Sequence, residues 1–241
     1  MSILAIETTG PYCSVAFLDK EGRLHEKTGT QVMNHLQTLT PMIRDLMGEA
    51  GATWEDIDHI AVSVGPGSFT GIRIGVSAAR ALNQITGIPL ISVGTLDAFG
   101  RQEGEEKEEI ICPLLDARRS QVYGGAYRGG ETVIPGGPYM LDELLAMLEG
   151  EDRICFAGDG LKAYKERIAT WAEEKGKTVR YKEVNQHASG VALLARDMLR
   201  NPEIFGEVTS LDHNTLEPSY MRIPEAERKL KEKKAAEKEA P

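Results

Sequence analysis

Hydrophobic and polar positions along this chain change period several times, and each change marks an element. Residues 3–6 are an apolar run closed by Glu7, residues 13–19 alternate, and residues 23–30 follow a Glu21-Gly22 turn. Three opening strands are therefore predicted. From Leu36 the period becomes helical: Leu36, Leu39, Ile43, Leu46, Met47 and Ala50 share a face, and Gly51 stops it. Pro41 falls inside this pattern, so the helix either kinks or begins there. Thr53-Trp54-Glu55-Asp56 has the form of a capping box. Residues 59–64 read as a buried strand, residues 70–85 as a helix stopped by Gly87 and Pro89, and residues 89–93 as a further strand.

A composition shift follows. Residues 101–109 carry five glutamates with Lys107 and Gly104, and such polar, exposed backbone favours a boundary between units. Beyond it residues 110–116 and 121–127 form a predicted hairpin and residues 141–148 a helix. Residues 153–157 form a strand ending at Gly158-Asp159-Gly160, with helices over 161–174 and 188–200. The expected organisation is an N-terminal lobe over 1–102, a C-terminal lobe over 103–222 and a charged tail over 223–241. The tail alternates Glu, Lys and Ala around a lone Leu230 and is expected to be mobile. Strands alternating with helices in two units make a two-lobed α/β protein.

The densest signal is Gly65-Pro66-Gly67-Ser68-Phe69-Thr70-Gly71-Ile72-Arg73-Ile74-Gly75. Its first half reads as a tight turn leaving a strand, and its second half opens a helix with Ser68 as N-cap. Gly71, Gly75 and Ala79 stack at i, i+4 and i+8. Each interior Gly costs about 1 kcal/mol relative to Ala, so the stripe implies close approach of another backbone. Two readings stand: the helix presses onto its own sheet, or it docks on another subunit.

This block resembles the signature of the TsaB family. Ile3-Leu4-Ala5-Ile6-Glu7-Thr8-Thr9 with Cys13-Ser14-Val15-Ala16 resembles that family's opening hairpin, and His35, Leu39, Pro41 and Ile43 its first helix. Asp116-Ala117-Arg118-Arg119 with Gln121-Val122-Tyr123, then Pro218, Tyr220 and Arg222, resemble two later motifs in the same order. The resemblance implies a two-lobed actin-like fold, each lobe a mixed sheet flanked by helices. It implies a non-catalytic subunit that pairs with a TsaD-type catalytic subunit through first-lobe helices and works with a TsaE-type ATPase. The assembly transfers threonylcarbamoyl to the tRNA adenosine next to the anticodon. Interface candidates on the two helices are Leu39, Ile43, Met47, Gly71, Ile74, Gly75, Ala78, Ala79 and Leu82. The same faces are candidates for a homodimer.

Charge and chemistry narrow the picture. Asp and Glu number 37 against 28 Lys and Arg, a net charge of −9, and aromatics make up 6% of the 241 residues. A protein holding tRNA by itself favours a basic patch and stacking platforms, so contact with tRNA is expected only through the complex. Cys13, Cys112 and Cys155 have neither disulfide nor zinc spacing. The apolar start is too short for a signal peptide and no segment approaches a membrane span, so a cytoplasmic protein with no membrane contact is expected.

In actin-like ATPases the first hairpin holds a phosphate, and Glu7, Thr8, Thr9 and Gly10 occupy that stretch here. They are either a vestigial phosphate site able to hold ATP or ADP weakly, or an ordinary strand end and turn. No phosphate loop ending in Gly-Lys-Ser/Thr occurs, and Gly158-Asp159-Gly160, between a strand and a helix where a nucleotide-binding backbone often sits, is a weak motif that a plain turn explains equally well. His35 has Leu39 four residues on, where a paired-histidine metal site needs a second imidazole, so it reads as a capping or surface residue and no metal is expected. Asp116 with Arg118 and Arg119 suits either a phosphate or an internal ion pair. The competing class is an actin-like enzyme, an ATP-dependent small-molecule kinase or a glycoprotease-like metallopeptidase. Glu7 and the absent loop argue against the first, the missing histidine against the second.

Overall fold

The computed structural model describes residues 1–102, 108–117 and 120–221. Most of the expected boundary segment, Arg118, Arg119, Arg222 and the charged tail lie outside them. The chain opens with β1 (Ile3–Glu7), β2 (Ser14–Leu18) and β3 (Leu24–Thr28), then α1 (His35–Ala50), β4 (His59–Gly65), α2 (Phe69–Thr86) and β5 (Leu90–Gly94). These strands form one sheet in the order β3-β2-β1-β4-β5, with β1, β2 and β3 antiparallel and β1, β4 and β5 parallel. After α3 (Thr95–Gln102) come β6 (Ile110–Asp116), β7 (Gln121–Arg128), β8 (Glu131–Met140), α4 (Leu141–Met147), β9 (Arg153–Ala157), α5 (Leu161–Lys175) and β10 (Thr178–Lys182). Their order, β10-β9-β6-β7-β8, repeats the first sheet strand for strand and sense for sense. Two copies of this mixed topology, with paired crossover helices, make the two-lobed actin-like fold.

Burial explains why the first strands form. Leu4, Ile6, Val15 and Phe17 pack under α1 and α2 with Leu39, Ile43, Leu46, Ile72 and Val76. Ile3, Ala5, Ala16 and Leu18 point to the opposite face, under Val191 and Leu194 of α6 (Ala188–Arg200). Covered on both faces, β2 is buried throughout and lacks the half-exposed alternation expected for it. Each fully buried Leu or Ile contributes about 1.5–3 kcal/mol. Helix ends follow the sequence signals: Gly51 and Gly87 adopt left-handed caps, and the Ser68 side chain accepts from the Gly71 N–H. Pro41 sits inside α1.

The expected division at 103–222 differs from the packing. α6 covers the first sheet, and the segment after it returns there too. Leu211 bridges Leu90 of β5, Leu216 is fully buried in the first-lobe core, and Ser219 N–H donates to the Val64 carbonyl at 2.8 Å. Arg80 Nε donates to the Leu216 carbonyl at 2.9 Å. α3 packs on both lobes: Ala98 is buried in the first-lobe core beside α6, while Leu96 and Phe99 pack on the second lobe against Leu115, Tyr127 and Ala157. The first lobe is therefore closed by chain from the other half of the sequence, and α3 bridges the two lobes.

Candidate functional site

Three features converge where β1, β4 and α2 meet. Glu7, at the end of β1, is 1% exposed. Its carboxylate accepts from Thr9 N–H at 2.5 Å, Thr9 Oγ1 at 2.6 Å and the Ser63 hydroxyl. Burial raises its pKa above the ordinary carboxylate value, opposed by the hydrogen bonds from Ser63, Thr9 and Gly10. Thr8 Oγ1 donates to the Gly71 carbonyl at 2.8 Å, and Ser68 N–H donates to the Thr9 carbonyl at 2.8 Å. The acid of the candidate phosphate site thus ties the end of β1 to β4, the Thr8 hydroxyl and the Thr9 carbonyl tie it to α2 and its N-cap, and Thr9 and Gly10 reach the cleft between the lobes.

Gly71 and Gly75 explain how α2 comes so close. A Cβ on Gly71 would collide with the Thr8 carbonyl oxygen, and one on Gly75 with the Thr8 hydroxyl. Ala79 is fully buried in the same core. The small-residue stripe therefore presses α2 onto its own sheet, and Gly71, Gly75 and Ala79 are not open to another subunit. His35 also departs from expectation. It is 1% exposed, and Nε2 lies 3.1 Å from the Gly10 carbonyl. Burial pushes its pKa down. It buttresses the turn after β1 from below rather than capping α1 at the surface.

The cleft itself is about 410 Å³, lined by Thr9, Gly10 and Phe69 from the first lobe, Tyr123 and Asp159 from the second, and Gln186 between β10 and α6. Asp159 accepts from Asp116 N–H at 3.2 Å, and burial raises its pKa. At the cleft's edge the Arg73 guanidinium lies 4.0 Å over the Phe69 ring and donates from Nε to Tyr220 Oη at 3.0 Å. Among the described residues no group of three His, Cys, Asp or Glu side chains is placed to hold a metal ion. The three cysteines are buried, and burial raises the Cys13 thiol pKa to about 11.

The remaining interface candidates lie outside the cleft. Leu39, Ile43 and Met47 are 2%, 5% and 6% exposed and belong to the first-lobe core, and Ile43 and Met47 also form the floor of a groove of about 530 Å³ between α1 and α2, lined further by the partly buried Ala78 and Leu82. Ile74 is half-buried against the same core. Ala81, Ile85 and Trp54, which sequence reasoning passed over, complete the groove. Ile85 is 82% exposed. Positions 78, 81, 82 and 85 recur at helical spacing beside the Gly71 stripe, so this second apolar face was legible in the period.

Comparison with known proteins fits this architecture. Residues 24–230 match a family model described as TsaD: tRNA N6-adenosine threonylcarbamoyltransferase. The tRNA threonylcarbamoyladenosine biosynthesis protein TsaB of Bacillus subtilis is 32% identical over 234 residues, covering 95% of this chain and 97% of that protein. This chain belongs to the TsaB family. The Escherichia coli TsaB protein is 31% identical over 243 residues, covering 95% of this chain and 98% of its own length. A crystal structure from Pseudomonas aeruginosa, of an uncharacterized protein with similarity to peptidase YeaZ, aligns with a TM-score of 0.72 at 27% identity. It covers 92% of this TsaB-family chain and 99% of its own. Among the described residues no helix is long and apolar enough to cross a membrane.

Proposed function

We propose that this TsaB-family chain is a non-catalytic subunit in the synthesis of threonylcarbamoyladenosine in tRNA. It joins a TsaD-type catalytic subunit through the groove between α1 and α2. The observation that carries this reading is a difference between the duplicated lobes. In the first, the paired crossover helices leave a mainly apolar groove of Ile43, Met47, Ala78, Ala81, Leu82 and Ile85, with Arg44 at its rim paired to Asp45 of its own helix rather than across the seam. In the second, Arg167–Asp142 bridges the equivalent helices α4 and α5, and Lys175 at the end of α5 pairs with Glu149 in the turn after α4 at 2.8 Å. An apolar groove on an exposed helix pair suits a partner's helices, because burying it recovers about 25 cal/mol per Å².

The non-catalytic part of the reading rests on the cleft. A phosphoryl-transfer site needs an accessible carboxylate and free donors, whereas Glu7 is buried and hydrogen-bonded and the Thr8 hydroxyl is spent on Gly71. With a net charge of −9, the chain reaches tRNA through its partner, and a TsaE-type ATPase joins the pair. A reconstituted reaction tests this with the chain, the TsaD-type subunit, the TsaE-type ATPase, tRNA and the threonylcarbamoyl donor. Product is expected only when this chain and the TsaD-type subunit are both present, and Thr9→Ala is expected to leave the rate per assembled complex within about twofold. Transfer by this chain alone, or a large loss of rate in an intact Thr9→Ala complex, would overturn the reading.

A further inference from the structure

α3 touches strands of both sheets, β4 and β5 of the first and β6 and β7 of the second. Ala98 packs beside α6 in the first-lobe core, while Leu96 and Phe99 enter the second-lobe core. The polar contacts of α3 are those that a moving joint would have to break. On the first-lobe side Thr95 Oγ1 donates to Thr9 Oγ1 at 3.3 Å. On the second-lobe side Tyr127 Oη of β7 donates to Asp97 Oδ1 at 2.9 Å. At the far end of the helix Arg101 lies 3.4 Å from Asp197 of α6, with its guanidinium 4.8 Å over the Phe205 ring.

Tyr127 is 1% exposed and has no room to shift. Its ring lies in a slot walled by two glycines. A Cβ on Gly100 of α3 would collide with the ring, and one on Gly136 of β8 would come within 3.1 Å of Oη. Burial, and after it Asp97, push the hydroxyl pKa up, so the group stays a donor. Sliding α3 across the second lobe would strand that hydroxyl, and a buried polar group left unpaired is costly. Lobes that close on each other need a hinge that absorbs the change or an interface that slips, and relative motion is the default where nothing holds them. We infer that α3 is a lock: the Tyr127–Asp97 bond in its glycine slot holds the two lobes at one angle, so the chain meets a partner as a single rigid body and its cleft does not open and close. The lock is independent of the face a partner takes, so it is tested on this chain alone.

The test is pulsed electron spin resonance between pairs of nitroxide labels on the full chain. Gln37→Cys on α1 and Glu166→Cys on α5, both exposed, report across the lobes, and Gln37→Cys with Glu55→Cys gives the reference width within one lobe. Cys13, Cys112 and Cys155 are buried and escape the label. With Tyr127 in place, one interlobe distance is expected, no broader than the reference. Tyr127→Phe keeps the ring and loses the bond. It is expected to broaden the interlobe distribution at least about twofold and to leave the reference unchanged. Circular dichroism checks folding, and Asp97→Ala, which removes the acceptor, replaces Tyr127→Phe if that variant does not fold. A broad or two-peaked interlobe distribution with Tyr127 and Asp97 intact, or an unchanged width in a folded variant lacking the bond, would each overturn the inference.

Discussion

The two lobes share one topology and use it differently. Both run strand, strand, strand, helix, strand, helix, strand, and both place two crossover helices side by side on one sheet face. In the first lobe the seam between those helices is mainly apolar and open, ending at Ile85, 82% exposed, near Trp54, 41% exposed. In the second, Asp142 and Arg167 bridge the seam with an ion pair, and Glu149 and Lys175 pair at its end. Exposed ion pairs contribute little stability, so their role is to keep that surface compatible with water. One frame has produced a face suited to a partner and a face suited to solvent, and the difference lies in a handful of outward positions.

The comparison can be broken at four places. The largest effect is expected from Gly75→Leu on the inward face of α2. Its side chain must displace the Thr8 hydroxyl, and overpacking against β1 should lower stability by about 3 kcal/mol, read by urea unfolding. Next comes Ala81→Glu on the groove face of the same helix. It should leave folding within about 0.5 kcal/mol while weakening association with the TsaD-type subunit by about 2 kcal/mol, roughly 30-fold, measured by titration. Ala146→Glu, in the equivalent groove of the second lobe, should do neither.

A third, smaller effect tests how α6 is held on the first sheet. Glu26 on β3 accepts from Ser189 N–H at 2.9 Å, inside the first turn of α6, and from Ser14 Oγ at 3.0 Å. Burial pushes its pKa up, but the hydrogen bonds from His187, Ser189 and Ser14 outweigh burial and hold it below the ordinary value. A carboxylate depressed in the folded state lends stability that is complete above the unfolded pKa of about 4.5 and is lost as pH falls through the folded value. Thermal unfolding from pH 7 down to pH 3 should therefore show a steeper loss in the wild type than in Glu26→Gln, which should already be weaker by about 1 kcal/mol at pH 7. The smallest effect is expected from Arg167→Ala, which breaks the α4–α5 bridge. It should change stability by no more than about 0.5 kcal/mol, and less at high salt.

Much of the fold was legible because local signals agreed with the tertiary outcome. Residues 188–200, read as a helix from Val191, Leu194, Ala195 and Met198, are the whole of α6, and Gly51, Gly87 and the Thr53 capping box mark element ends as expected. What escaped is the chemistry of edges and exchanges. β8 was missed because Pro135 and Pro138 argue against a strand, yet an edge strand tolerates an absent N–H. The half-exposed β10 at the other edge has no clean alternation. No local signal says that α6 crosses to the first sheet, because its apolar face could be covered by either lobe. The site was legible in its location and less so in its orientation. The Gly71, Gly75 and Ala79 stripe announced a close approach without saying to what, and the space it fills belongs to β1. Gln186 carried no pattern at all; only its burial over Gly10 singles it out.

Hydrogen–deuterium exchange of this chain, alone and with the TsaD-type subunit, tests the docking face most directly because it reports both grooves in one experiment. The expected result is added protection confined to α1, α2 and the Trp54 turn, with α4 and α5 unchanged. Protection over residues 142–149 and 167–174, or none on α1 and α2 when the complex is saturated, would contradict the assignment of the first-lobe groove as the partner face.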